Sequence, residues 1–280
     1  VGDDLVHPKS RTFIPSRVDD NIFLLTTGYK TTLQALPEPL RSQMLKGDFQ
    51  AGANDPAWQA IPTEWVKAAQ ARWAPRDSKG PMTAMGFDPA RGGIDKSSIA
   101  RRHGLWFDEM VTMPGAVTKD GPSAAAFAVA NVRDGACICV DSIGIGSSAL
   151  DFMQGLNLNV LAVNGSEASG AITKAGNLRF RNRRAEMYWL LREALDPTNA
   201  DKIALPPDPE LLGDLTAVRY KVVTMGKVAA LLMRSKDEIR EALSRSPDKG
   251  DAVAMTFVQG VPAPTSAAST YTEAPEPTFV

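Results

Sequence analysis

From residue 81 onward, short apolar runs follow one another in an order that limits the folds open to this chain. The runs 81–87, 97–107 and 109–113 are separated by tight turns, which is typical of three successive antiparallel strands. Two later apolar runs, 136–140 and 160–163, are also short enough to be strands. The chain from residue 81 therefore contains a sheet of at least five predicted strands.

Segments with helical spacing alternate with the later strands. They span 122–133, 147–156, 181–195, 236–243 and 247–258. Strand-strand-strand-helix-strand-helix-strand-helix is the order of an α/β fold of the RNase H-like, RuvC/integrase-type class. In this class a mixed β-sheet is flanked by helices.

The chain divides by composition into three parts. We predict a mostly helical connector at 1–78, the α/β domain at 79–258 and a disordered tail at 259–280, which is rich in Pro, Ala, Ser and Thr. The chain begins at Val1 within a polar segment, so we expect it to be a fragment of a longer polypeptide.

Charge and cysteine content narrow the function classes. The formal net charge of −1 provides no global basic field, although a local basic face remains compatible with it. Cys137 and Cys139 lie two residues apart on a predicted strand, and we interpret them as a small buried pair rather than zinc ligands. No apolar run reaches the length of a membrane span.

Aspartates stand at chemically unusual places in this pattern. Asp88 and Asp141 each end an apolar strand, and Asp251 opens the apolar stretch 252–257. A buried carboxylate must be paired, protonated or bound to a metal. Asp248 lies one helical turn before Asp251, after Ser246 as the predicted N-cap. Taken singly, each aspartate also fits an ordinary turn or helix start.

The order of these acids gives them a common interpretation. Strand ends meet at one edge of an open sheet, and a flanking helix can reach the same edge. Three carboxylates brought together there can hold two divalent cations on a phosphodiester. Hard oxygen ligands favour Mg²⁺ or Mn²⁺ over zinc. We therefore predict a metal site formed by Asp88, Asp141 and Asp251, with Asp248 as a candidate additional ligand.

Three segments carry a resemblance to a known family. They are GFDP at 86–89, CVDSIGIG at 139–146 and SPDKGDA at 246–252. All three resemble the nuclease motifs of the large terminase subunit of tailed bacteriophages, and the third match is the most specific. The segments 11–21 and 36–49 resemble the stretch that follows the ATPase core in that family.

The resemblance implies an RNase H-like endonuclease that cuts concatemeric viral DNA during packaging. It implies that Asp88, Asp141 and Asp251 are the catalytic, metal-binding acids. It also implies double-stranded DNA as substrate, the portal protein and small terminase subunit as partners, no membrane, and a location in the host cytoplasm and transiently on the procapsid. The ATPase half of the family is not expected in this chain, which has no G-x-x-x-x-G-K-[ST] motif.

Basic residues near these motifs are candidates for phosphate contacts, although a solvated surface role fits each of them equally well. They are Arg91, Lys96, Arg101, Arg102, Lys174, Arg179, Arg181, Arg183 and Arg184. For His103 a structural role is favoured.

Two other functions remain open: another RNase H-like nuclease, such as a Holliday-junction resolvase, and a non-catalytic module that docks the motor onto DNA or the portal.

Overall fold

The chain forms two compact units, Val1–Pro56 and Ala57–Val280, in the computed structural model. The residues that the structure describes are 18–25, 28–34, 41, 44–45, 55–56, 58–92, 95–226 and 228–262. In the first unit they include two short helices, Ile22–Leu25 (α1) and Tyr29–Gln34 (α2). Residues 1–17, most of the connector segment 35–57 and the tail from 263 lie outside the described residues.

The second unit begins before the α/β pattern that marks it in the sequence. The helix Thr63–Ala71 (α3) buries Val66 and Ala69 in the core of this unit. The Ala60 N–H donates to the Val218 carbonyl at 2.8 Å, which ties the segment before α3 to the same core. Residues in the range 58–78, which the sequence analysis placed in the connector, therefore pack with the second unit.

A six-stranded mixed sheet forms the centre of the second unit. Its strands are Ala84–Asp88 (β1), Lys96–His103 (β2), Trp106–Phe107 (β3), Val111–Pro114 (β4), Cys137–Asp141 (β5) and Val160–Val163 (β6). The order is β3-β2-β1-β5-β6, and β4 also pairs with β2. β1 is antiparallel to β2 but parallel to β5, and β5 is parallel to β6. The predicted mixed sheet is confirmed.

One predicted strand is wrong in its length. The apolar run 97–107 does not form a single strand, because a turn at Gly104 and Leu105 separates β2 from β3. Gly104 adopts a positive φ of 63°, a conformation that glycine reaches without steric cost. Apolar composition alone did not mark this turn.

Helices cover both faces of the sheet. They are Gly121–Asn131 (α4), Ile145–Gly155 (α5), Arg183–Leu195 (α6), Pro209–Ala217 (α7), Lys236–Leu243 (α8) and Asp248–Met255 (α9). The alternation along β5 shows the two layers. Ile138 and Val140 pack in the cluster that contains residues of α4 and α5, whereas Cys137 and Cys139 pack in the cluster that contains residues of α6 and α9. The cysteines are free and buried, as predicted.

Three further strands form a second, smaller sheet. Two of them lie between α6 and α8 in the sequence. It consists of Arg179–Phe180 (β7), Tyr220–Met225 (β8) and Val228–Met233 (β9), in the order β7-β9-β8. β8 and β9 form an antiparallel hairpin, and β7 adds to β9 in parallel. None of these three strands is among the strands predicted from the sequence. Among the described residues, no helix combines the length and apolarity that a bilayer crossing requires.

Candidate metal centre

Asp88 and Asp141 come to the same edge of the sheet because their strands run parallel side by side. The register pairs Phe87 with Val140, so each aspartate is the next residue of its strand. Asp88 is only 6% exposed. Asp141 is partly buried, and its Oδ1 accepts a hydrogen bond from the Ile143 N–H at 3.0 Å. The predicted convergence of the two strand ends is present.

A glycine in β1 allows α9 to approach this edge. A Cβ atom placed on Gly86 would lie 1.8 Å from the Ala252 carbonyl oxygen, which is far inside van der Waals contact. The backbone of α9 therefore rests directly on β1. Because Ala252 follows Asp251, this close approach carries the Asp251 side chain toward Asp88.

Asp251 is the most heavily contacted of the acids. It is 3% exposed, and its Oδ1 accepts hydrogen bonds from Arg184 Nη1 at 2.9 Å and from the Tyr188 hydroxyl at 2.7 Å. Its Oδ2 lies 2.9 Å from Lys236 Nζ. Arg184 and Tyr188 are one helical turn apart on α6, so a single helix face provides both donors.

Lys236 connects two of the acids. Its ammonium lies 2.9 Å from Asp251 Oδ2 and 3.6 Å from Asp88 Oδ2. Burial lowers the pKa of Lys236, but the two carboxylates outweigh that effect and raise the pKa above its ordinary value. The lysine therefore carries its charge and serves as the cation of this cluster.

The pKa values of the acids show that they act on one another. Burial raises the pKa of Asp88 well above its usual range, and the charges of Asp251, Asp141 and Asp248 raise it further against the lowering by Lys236. Burial likewise raises the pKa of Asp141. Burial also opposes ionisation of Asp251, but Arg184, Lys236 and the Tyr188 hydroxyl outweigh it and hold its pKa at about 2. The direct contacts with cations therefore favour ionisation of Asp251 more than ionisation of Asp88.

Asp248 stands at the start of α9 and serves a different contact. Its Oδ2 accepts a hydrogen bond from the Lys96 N–H at 3.2 Å, which ties α9 to β2. Burial raises its pKa. The charge of Asp248 raises the pKa of Asp88, so Asp248 lies near the cluster. Within the described part of the chain, it makes no direct bond to the other acids.

The predicted capping of α9 is wrong. The residue before the helix is Pro247, and the Ser246 hydroxyl instead accepts hydrogen bonds from Arg240. Asp214 of α7 takes the capping role, because its Oδ2 accepts from the Lys249 N–H at 3.1 Å and the Gly250 N–H at 3.0 Å. A side chain distant in sequence thus satisfies the helix start, which local spacing could not indicate.

The donor chemistry of the cluster fits a divalent cation. Asp88 Oδ2 and Asp251 Oδ2 are buried oxygens without a hydrogen bond, and the Lys236 contacts to them are ion pairs. Among the described residues, no three Asp, Glu, His or Cys side chains already stand in an arrangement that could hold an ion. The fit is one of ligand chemistry: carboxylate oxygens without a hydrogen bond suit a hard cation, while Lys236 compensates their charge in the arrangement seen here.

A cleft of about 460 Å³ opens beside the acids. Its lining includes Asp141 and Asp251 together with residues of the second sheet and α8. The basic side chains that line it are Arg184, Lys221, Arg234 and Lys236. The site thus combines carboxylates that suit a metal with cations that suit a phosphate backbone.

Only one of these four basic residues was a candidate from the sequence. Of the nine candidate phosphate contacts, Arg184 alone lines the cleft, and the cleft residues Lys221, Arg234 and Lys236 were missed. Arg101 pairs with Asp108 at 2.9 Å, and Arg102 donates to the Thr256 carbonyl at 3.0 Å. The His103 ring is within 2.9 Å of the Gly80 carbonyl, consistent with the structural role that was favoured. The missed residues lie on the second sheet, directly after it and at the start of the following helix, and the placement of these elements had no sequence signal.

The sheet order and the acids at its edge define an α/β protein of the RNase H-like class. Solved structures with this fold include the nuclease domain of the large terminase subunit gp2 of bacterial virus Sf6. That domain is 22% identical over 71% of this chain and 98% of its own, with a TM-score of 0.55.

Two further structures are of mutant forms of the same Sf6 domain. One contains manganese and beta-thujaplicinol, with 20% identity and a TM-score of 0.55, and one contains calcium, with 22% identity and a TM-score of 0.54. Each match covers 71% of this chain and 98% of the Sf6 chain. No protein-family model and no curated protein matches the chain. The resemblance to terminase nuclease domains that three short motifs carried is therefore confirmed at the level of the fold.

Proposed function

We propose that this protein is a metal-dependent DNA endonuclease of a viral DNA-packaging motor. It would cleave concatemeric phage DNA at the initiation and termination of packaging by a two-metal mechanism. The observation that carries the proposal is the convergence of Asp88, Asp141 and Asp251 at one sheet edge, beside a cleft lined with basic side chains. The Sf6 terminase structures with manganese and with calcium support it, because their fold is the one found here.

Asp88, Asp141 and Asp251 would hold the two divalent cations, Mg²⁺ or Mn²⁺, with Asp248 as a candidate fourth ligand. Ions bound there would activate a water for attack on the phosphorus and neutralise charge on the leaving 3′ oxygen. The residues of the chain position these carboxylates. Arg184 and Tyr188 fix one oxygen of Asp251, and the Ile143 N–H fixes one oxygen of Asp141.

Lys236 would stabilise the cluster of carboxylates when no ion is bound. Its ammonium lies within ion-pair distance of Asp88 and Asp251, where it offsets the repulsion between the acids. Divalent cations would compete with it for the same oxygens. The double-stranded DNA substrate would lie over the basic side of the cleft.

The biological setting is also part of the proposal. The portal protein and the small terminase subunit would be the partners, and the protein would act in the cytoplasm of the infected host and transiently on the procapsid. The same RNase H-like fold supports a resolvase as an alternative nuclease, which the choice of DNA substrate tests directly.

Plasmid cleavage in the presence of Mn²⁺ tests the proposal. We expect Asp88→Ala and Asp141→Ala to lower the cleavage rate by about a hundredfold or more, because each removes a carboxylate from the centre. The matched control is Asp151→Ala, which removes the same charge from the exposed side of α5 and should cleave like the unmodified chain.

Three outcomes would contradict parts of the proposal. Cleavage that survives both Asp88→Ala and Asp141→Ala would reject the site. Cutting of four-way junctions together with inertness toward linear and plasmid DNA would favour the resolvase alternative. Absence of cutting and of Mn²⁺ binding in the unmodified chain would favour a docking module.

A further inference from the structure

Arg184 has more hydrogen-bonding capacity than the folded chain uses. Its side chain is 14% exposed, and its Nη1 donates to Asp251 Oδ1 at 2.9 Å. Its Nε and Nη2 are buried and have no hydrogen-bond partner. A buried guanidinium with two unused donors is unfavourable unless a ligand completes it.

Arg184 lies in the wall of the cleft beside the acids. The cleft residues Asp141, Asp251 and Lys221 line the same space. The Arg184 N–H donates to the Gly165 carbonyl at 3.0 Å, and the guanidinium lies 5.0 Å from the centre of the Tyr188 ring. The backbone bond fixes the position of the residue, and the contacts with Asp251 and Tyr188 hold its guanidinium beside the acids.

Neutralising Asp251 does not by itself account for this arrangement. Asp251 already has Lys236 at 2.9 Å on Oδ2 and the Tyr188 hydroxyl at 2.7 Å on Oδ1. Arg184 contributes one nitrogen to that carboxylate. The remaining Nε and Nη2 are two donors of one planar fork, a geometry that matches two oxygens of a phosphate.

We propose that Arg184 binds a phosphodiester of the DNA through Nε and Nη2 while Nη1 stays on Asp251. The inference rests on the proposed nuclease function and adds a named substrate contact to it. In this arrangement one side chain links a metal-binding acid to the DNA backbone. A phosphate would then be positioned relative to Asp251 by a shared planar group rather than by a flexible ammonium.

Fluorescence anisotropy with a labelled DNA duplex in Ca²⁺, with the duplex checked for integrity, tests the contact. We expect Arg184→Gln to bind about tenfold more weakly, and the slope of log affinity against log salt to fall by about one. Arg184→Lys should regain most of the salt slope but not the affinity, because an ammonium cannot present two adjacent N–H groups. The matched control is Arg133→Gln, which removes the same charge from an exposed residue after α4 that does not line the cleft.

Calorimetric titration of Mn²⁺ without DNA separates a phosphate contact from a structural role. If Arg184 contacts the DNA, Arg184→Gln should lose DNA affinity by a much larger factor than Mn²⁺ affinity, because Tyr188 and Lys236 still hold Asp251 when the guanidinium is removed. Parallel loss of Mn²⁺ and DNA binding would show that Arg184 acts only through Asp251 and would overturn the proposal. Equal losses in Arg184→Gln and Arg133→Gln would overturn it as well.

The same measurements distinguish the two levels of the argument. If the unmodified chain binds neither Mn²⁺ nor DNA, the proposed function itself fails. If it binds both and Arg184→Gln matches it, only the Arg184 contact fails. Should Arg184→Gln not fold, Arg184→Lys decides: weaker DNA binding with unchanged Mn²⁺ binding supports the contact, and unchanged DNA binding rejects it.

Discussion

Lys236 lies against two buried carboxylates, although in sequence it is only the first residue of a charged amphipathic helix. Ser235 caps that helix by accepting from the Glu238 N–H, which places Lys236 at its first position. The contact with Asp88 and Asp251 arises from where α8 is docked. At the residue scale, the charge balance of the site therefore depends on a side chain that local sequence would assign to the surface.

Removal of this ammonium should make folding depend on divalent ions. We expect Lys236→Gln to lower the free energy of unfolding by about 2 kcal/mol in EDTA, since two carboxylates lose their shared cation and the lysine is partly solvated. Mn²⁺ should then raise the melting temperature of Lys236→Gln more than that of the unmodified chain. Thermal unfolding with EDTA and with Mn²⁺ measures both effects.

Lys221→Gln is the control for that experiment, because it removes the same charge from the same cleft. Neither Asp88 nor Asp251 has Lys221 among its ion-pair partners within the described part of the chain. An equal Mn²⁺ response in both variants would contradict the role assigned to Lys236.

At the scale of elements, α9 is the helix on which the site depends, and another helix completes its start. Asp214 of α7 accepts from the Lys249 and Gly250 N–H groups, and Arg245 lies 2.5 Å from its second oxygen. Burial outweighs these favourable contacts and raises the pKa of Asp214 from 3.8 to about 7. The carboxyl that caps α9 is therefore predicted to titrate near neutral pH.

This titration gives a pH dependence with a definite sign. Because the folded pKa lies above the unfolded one, the group contributes stability that is full below about pH 3.8 and is lost as pH rises through about 7. Asp214→Asn keeps an acceptor for the cap but does not titrate. Between pH 5 and pH 8, the unmodified chain should lose about 2–3 kcal/mol relative to this variant in urea unfolding, since the pKa of about 7 lies two units above the lower end of this range.

Asp208→Asn provides the matched control, since Asp208 caps α7 by accepting from the Glu210 and Leu211 N–H groups. Burial raises its pKa, but the bonds and charge of Lys249 and the cap itself outweigh that and lower it below its ordinary value. Its contribution is therefore lost only at acid pH, and its difference from the unmodified chain should be flat over the same range. An Asp214→Asn difference that is equally flat would contradict the raised pKa.

Gly86 tests how α9 is held on the sheet. An added methyl group would lie 1.8 Å from the Ala252 carbonyl oxygen, and that neighbour is backbone. Gly86→Ala should therefore push α9 away from β1 and lower the free energy of unfolding by about 2–3 kcal/mol. It should also weaken Mn²⁺ binding, because Asp251 moves with α9.

Gly155→Ala is the corresponding control, because a Cβ there meets no atom within 4 Å. It should leave both stability and Mn²⁺ affinity within the range of a surface change. Unfolding curves and Mn²⁺ titrations of the two variants measure the difference. Tight Mn²⁺ binding by Gly86→Ala would show that the site does not require the close approach of α9.

At the scale of the whole molecule, the second unit extends further toward the N-terminus than its motifs indicate. Ala60, Ile61, Val66 and Ala69 are fully buried in its core, and Arg192 of α6 donates to the Ala60 carbonyl. These contacts join the segment around α3 to helices that come more than a hundred residues later in the chain. The α/β pattern therefore marks the sheet but not the full extent of the folded unit.

Truncation tests this extent. A chain of residues 57–262 should fold cooperatively, whereas one of residues 79–262 should be strongly destabilised, because burial of each lost apolar side chain contributes roughly 1.5–3 kcal/mol. Circular dichroism during urea unfolding measures the difference. Equal midpoints for the two chains would contradict the assignment of α3 to this core.

Much of the central fold was predictable because its signals are local. The strand 160–163 and the helix 236–243 follow from apolar runs and helical spacing, and the structure has β6 and α8 at those bounds. The split between β2 and β3 was not predictable, because an apolar stretch does not report a turn within it. The β7-β9-β8 sheet was missed for a related reason: the pairing of β7 with β9 joins residues about fifty positions apart.

The sequence by itself determined the order of strands and helices and the acids at their ends, because period-two and helical spacing are local properties of a chain. It also determined that Asp88 and Asp141 would meet, since parallel neighbouring strands end at one edge. Only the tertiary structure decided which cations face those acids. Helix packing brings Lys236 to both Asp88 and Asp251. It also brings Arg184 and Tyr188 to Asp251. The sequence carries no periodic signal for these contacts.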